Sequence, residues 1–228
     1  MMAECKAKGI KLTKEYLKSL GSGVELFKGV DTWFDRINAY GEELGLRIEH
    51  YIISSGTKEI IEGCKVAKEF KRIYGCEFMY GDDKTAIWPK MAINYTNKTQ
   101  YVYRISKGAL EESEEEKLNS ATDDKDRRVN YENMIYVGDG MTDIPCMKVV
   151  KSRGGKAIAI YQNQQKEKVQ NLVRDNRINY VCPTNYKENS YLDRIVKLII
   201  KTSCLVSELS NLEEKQTLEA ESKLLNKD

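Results

Sequence analysis

Between Met134 and Ser203 the chain alternates strand-length apolar runs with amphipathic stretches of helical period. The order is strand Met134–Val137, loop Gly138-Asp139-Gly140, helix Asp143–Lys151, strand Lys156–Tyr161, helix Gln164–Arg174, strand Ile178–Cys182 and helix Leu192–Ser203. Strand, helix, strand, helix implies a parallel sheet covered by helices on both faces, so the expected class is α/β and Rossmann-like.

Upstream the pattern is less regular. Glu4–Lys8 and Lys14–Leu20 read as short helices, the second capped by Thr13, and Gly21-Ser22-Gly23 breaks the run. Val30, Trp33, Phe34, Ile37 and Tyr40 recur at helical spacing, which predicts an amphipathic helix over Asp31–Leu44, ended by Gly45. A strand over Arg47–Ser54 follows, then a helix over Lys58–Tyr74 carrying Ile60, Ile61, Cys64, Ala67 and Phe70, then a short strand Cys76–Tyr80. Pro89 disqualifies Ala86–Tyr95 as a central strand and leaves an irregular hairpin or flap. Lys98–Lys107 reads as a helix. Residues 109–132 hold a run of glutamates and then Asp123-Asp124-Lys125-Asp126, the pattern of a solvated insertion. Residues 206–228 are polar with sparse leucines, a helical or disordered tail with the look of a weak coiled coil.

Composition narrows the function classes. Of 228 residues, 41% are hydrophobic and 32% charged, a globular profile. A net charge of +2 argues against a nucleic-acid binder working by bulk charge. No apolar run reaches the roughly 18–20 residues that cross a bilayer, and the first residues lack the apolar region of a signal peptide, so a cytoplasmic protein is expected. The six cysteines are scattered without paired spacings, which argues for reduced thiols and against a zinc site. The single histidine, His50, opens a strand and reads as structural.

Ligands of parallel α/β sheets bind beyond the carboxyl ends of the strands. The polar residues expected there are Ser54, Ser55 and Thr57 with Gly56 after one strand, and Asp139 and Asp143, framed by Gly138 and Gly140, after another. Thr96-Asn97-Lys98 brings a cation to the first turn of a helix. Two carboxylates suit Mg2+. Lysine and serine suit phosphoryl oxygens. Backbone N–H groups after Ser54 suit an anion.

In these motifs the chain resembles the haloacid dehalogenase-like superfamily, in its phosphoserine-phosphatase-like branch. The resemblance rests on Tyr51-Ile-Ile-Ser54-Ser-Gly-Thr, Thr96-Asn-Lys98-Thr and Ile135-Tyr-Val-Gly-Asp139-Gly-Met-Thr-Asp143-Ile-Pro, and covers about residues 24–203. Leu26-Phe27-Lys28-Gly29-Val30 is similar to the family's lead-in from cap to core. It implies Mg2+-dependent hydrolysis of a phosphorylated small molecule through an aspartyl-phosphate. Ser54 and Lys98 would be catalytic. Ser54, Ser55, Gly56 and Lys98 would hold phosphate, Asp139 would hold the metal, and Asp143 would hold it too or orient its waters and Lys98. The family's first motif, an apolar strand ending in Asp-x-Asp, has no counterpart before Ser54. Asp124-Lys125-Asp126 follows no apolar run. The expectation is therefore a chain that begins inside the cap, with residues 1–25 a cap remnant and 26–205 the core, lacking the usual first strand and its nucleophile. The sheet would keep two unpaired inner edges. Such a chain is inactive, or it is a non-catalytic phosphate- or metal-binding protein or an interaction protein.

Overall fold

The computed structural model describes residues 1–162 and 166–225. It is an α/β structure with two three-stranded sheets. Strand β1 (His50–Thr57) pairs in parallel with β2 (Phe70–Tyr80), which pairs antiparallel with β3 (Ala86–Met91). In the second sheet β4 (Ile135–Gly138), β5 (Lys156–Tyr161) and β6 (Tyr180–Pro183) are all parallel. Registers such as Ile53↔Tyr74 and Val137↔Ile158 set these ladders. Pro89 sits on the edge strand β3, where a missing N–H is tolerated.

Helices cover both faces of the second sheet. Ile158 and Ile160 of β5 pack under α3 (Trp33–Glu43) and α9 (Tyr191–Leu225), against Phe34, Ile37, Leu192 and Val196. The alternate residues Ala157 and Ala159 face α7 (Ile144–Ser152) and α8 (Lys166–Arg174), against Met147, Val169 and Leu172. A strand buried on both sides cannot alternate apolar with polar, hence the unbroken Ala-Ile-Ala-Ile run.

Among the described residues no ladder joins β1 to β4, yet side chains hold them together. Ile53 packs with Met134 and Tyr136 around Val102 and Cys146 on one side. Ile48, Phe70, Ile135 and Val137 share the α3/α9 cluster on the other. Among the described residues β1 and β4 are each an edge strand of their own sheet.

The helix expected over Lys58–Tyr74 is a correction. Helix α4 (Lys58–Glu62) is short, a turn follows, and Phe70–Tyr74 belongs to β2. Helix α2 (Lys14–Gly21) crosses at Gly63, where only glycine leaves room: a Cβ there would lie 1.9 Å from the Lys18 carbonyl oxygen. Phe70, Ile73 and Tyr74 then follow their strand preference.

The segment expected as a cap remnant packs on the same body. Thr13 Oγ1 accepts the Tyr16 N–H and caps α2, worth about 1 kcal/mol. Leu12 and Leu17 bury against Ala86, Ile60 and Phe78, and α1 (Met2–Ala7) precedes them. Helix α5 (Lys98–Lys107) has its expected bounds. In the 109–132 segment, helix α6 (Glu115–Asn119) is surface structure, but Ala109 and Tyr131 are buried. Arg128 straps the segment to Glu49, and Arg72 holds Glu111 at 2.6 Å. The expected helix Leu192–Ser203 and tail form one helix to Leu225; residues 226–228, and Gln164 and Gln165 of the helix expected at Gln164–Arg174, lie outside the described residues. No described helix is long and apolar enough to cross a membrane.

Candidate functional site

Lys98 and Asp143 meet. Lys98 Nζ donates to Asp143 Oδ1 at 2.8 Å, with the two side chains only 6% and 10% exposed. Residue 98 opens α5 and residue 143 closes the turn that leads into α7, so the pair joins two helix beginnings. Tyr136 Oη donates to the same Oδ1 at 2.9 Å, and the Gly140 N–H makes a long 3.4 Å contact with Oδ2. Burial, then the Asp143 charge, pushes the Tyr136 hydroxyl far up, so it stays a donor. Tyr136 is a site residue that sequence reasoning missed. Its position two residues before Gly138 on β4, on the α7 side, was the available signal.

Gly138 is required for space. A Cβ there would lie 2.8 Å from the Asp143 carboxyl group. Asp139, in contrast, is exposed at the strand end. A cavity of about 230 Å3 opens behind the loop Gly138–Met141, floored by Met147, Ala159, Val169 and Leu172. Its apolar floor and its lack of Lys98 and Ser54 make it unsuited to a phosphoryl group.

A chain of contacts runs from the Ser54 segment through Cys76 towards Lys98. The Cys76 thiol donates to the Ser55 carbonyl at 3.3 Å and its sulfur accepts the Ile93 N–H at 3.2 Å. Ile93 leads into Asn94, whose carbonyl accepts the Lys98 N–H. Ser54 Oγ accepts the Gly56 N–H at 3.0 Å, closing a local turn, and Ser55 and Gly56 are exposed. Among the described residues no hydrogen bond links Ser54 to Lys98, Asp139 or Asp143. The N–H of Gly56, expected to be free for an anion, is taken by Ser54, and α4 behind it is one short turn of five residues.

An aromatic wall flanks Asp139. Tyr186 packs edge-on against Trp33 at 5.1 Å and stacks on Phe27 at 6.5 Å. Burial, then the nearby Asp139 charge, pushes its hydroxyl up to about 12. Gly29, at φ 84°, lets the Phe27-Lys28 segment approach: a Cβ would lie 2.5 Å from the Lys187 backbone nitrogen. Trp33 was legible only as core, and nothing in the sequence pointed to Tyr186.

Among the described residues no three His, Cys, Asp or Glu side chains form a ready-made metal cage. Mg2+ asks less, since one or two carboxylates with waters suffice. Asp139 is open to solvent, and among the described residues Asp143 Oδ2 makes only the long Gly140 contact. Asp143 Oδ1 is already committed to Lys98 and Tyr136. His50 is structural: Nε2 donates to Asn38 Oδ1 at 2.8 Å, the ring packs edge-on against Phe34, and burial lowers its pKa. All six cysteines are free thiols. The Asp124–Asp126 pair lies in an exposed turn, with Asp124 bonded to Arg127 at 2.7 Å.

No family model matches the chain. An uncharacterized protein of Borreliella burgdorferi is 25% identical over 214 residues, spanning 85% of this chain and 72% of that protein.

Proposed function

We propose that this chain binds a phosphorylated small molecule with Mg2+ at the ends of β1 and β4, on the plan of the haloacid dehalogenase-like phosphohydrolases, and does not itself turn the ester over. The buried Lys98–Asp143 pair beside an exposed Asp139 carries this reading. An ammonium has three donors. Asp143 takes one of them and fixes the side chain, leaving two for phosphoryl oxygens. Asp139 would hold Mg2+ against the same oxygens, and the Ser54 hydroxyl, still a donor, would supply a further contact.

Turnover needs an in-line nucleophile and an acid for the leaving oxygen. Lys98 and Asp143 neutralise each other, Asp139 is the metal carboxylate, and Asp124 is held by Arg127 in the solvated segment. None of these four groups is free to be that nucleophile, which favours binding over hydrolysis. Calorimetry with inorganic phosphate, with and without Mg2+, is the test. Binding should require Mg2+ and be lost in Asp139→Asn and Lys98→Ala, while p-nitrophenyl phosphate turnover stays at background. Mg2+-dependent turnover that disappears in Asp124→Asn would overturn the assignment.

A further inference from the structure

Beyond Cys204 the long helix α9 leaves the body of the protein. From Leu205 to Glu221 every residue is exposed except the half-buried Ser207. Isolated helices of this length are marginal in water, because most helical stability in proteins comes from packing of an apolar face. This half of α9 has such a face. Leu198, Leu205 and Leu212 recur every seven residues, with Thr202, Leu209 and Gln216 interleaved at the four-three spacing of a coiled-coil seam. Leu198, Leu205, Leu209 and Leu212 are 63%, 51%, 66% and 57% exposed.

We propose that α9 pairs antiparallel with α9 of a second copy of this chain. Charge selects the partner and its direction. Residues 191–204 carry Arg194, Lys197 and Lys201 against Asp193, a net +2, whereas 205–225 carry five glutamates against two lysines, a net −3. Antiparallel pairing lays the basic half of one helix on the acidic half of the other. Parallel pairing would stack the two acidic halves, which like-charge repulsion opposes. With Leu205 of one copy level with Leu209 of the other, Thr202 stands level with Leu212, Leu198 with Gln216, and Lys201 with Glu213. The apolar seam and the aliphatic stems beside it bury on the order of 1,000 Å2 over both copies, the size at which a specific interface begins. The pairing is independent of any phosphate site.

Sedimentation equilibrium of the full chain tests the proposal. It should show a dimer in the micromolar range. Leu205→Glu with Leu209→Glu should make it monomeric without loss of far-UV dichroism from the body, since neither side chain packs in the core. Lys201→Glu should weaken the dimer roughly tenfold or more, and adding Glu213→Lys and Glu214→Lys to it should restore the affinity. A monomer at hundreds of micromolar, a trimer or tetramer, or a dimer indifferent to the two leucine changes would overturn the proposal. So would failure of the charge swap to restore what Lys201→Glu removes.

Discussion

Replacing Asp143 by alanine strands a buried ammonium. Lys98 Nζ bonds Asp143 Oδ1 at 2.8 Å, and its side chain is only 6% exposed. Removing one partner of a buried ion pair typically costs about 3–5 kcal/mol, because the remaining charge keeps its desolvation penalty and loses its attraction. That is a large part of the roughly 5–15 kcal/mol that stabilises a domain. With a urea slope of about 2–3 kcal/mol/M, the midpoint should fall by about 1–2 M. Trp33, 7% exposed, reports unfolding by fluorescence, with Trp88, 69% exposed, replaced by phenylalanine to remove its background. Far-UV dichroism supplies the second probe. The decisive arm is the cycle with Lys98→Met. Once the ammonium is gone, Asp143→Asn keeps the Tyr136 and Gly140 contacts, so the double variant should be more stable than the summed single losses by about 1–3 kcal/mol. A loss below about 1 kcal/mol for Asp143→Ala, with no coupling in the cycle, would refute the buried-pair argument.

Two further outcomes follow from the same reasoning. Burial alone would raise the Glu49 carboxyl, but hydrogen bonds from Arg128, Lys71 and Tyr51 hold it at about 2, below its ordinary 4.5. Its stabilisation is therefore present above about pH 4.5 and lost as the pH falls towards 2, so Glu49→Gln should cost about 1–2 kcal/mol in neutral urea titrations and almost nothing near pH 2; an equal loss at both would contradict it. Gly138→Ala should imitate Asp143→Ala, since the new methyl displaces the Asp143 carboxyl, with a stability loss of about 1–3 kcal/mol in urea titrations and no Mg2+-dependent phosphate binding; a parental midpoint with binding intact would show that the loop yields freely.

The elements that were legible from sequence are those whose pattern is set locally. The stretch from β4 to the start of α9 follows from apolar runs separated by amphipathic ones, and α5 from its own spacing. The segment after β1 was not legible, because Ile60, Ile61, Cys64, Ala67 and Phe70 fit a helical period although helix α4 ends at Glu62, and the glycine at 63 answers to the Lys18 carbonyl of another helix. The role of Asp143 lay between metal ligand and orienter of Lys98, and Lys98, 45 residues earlier in the chain, is bonded to it. Lys98 carried a signal of its own. It is the first residue of α5, and no acidic residue accompanies it in that turn. A cation at the positive end of a helix costs about 0.3–1 kcal/mol, and burying it adds more. Such a residue implies a carboxylate from elsewhere in the fold. The loop at residues 138–143 supplies that carboxylate as Asp143 and leaves its other aspartate, Asp139, open to solvent beside it.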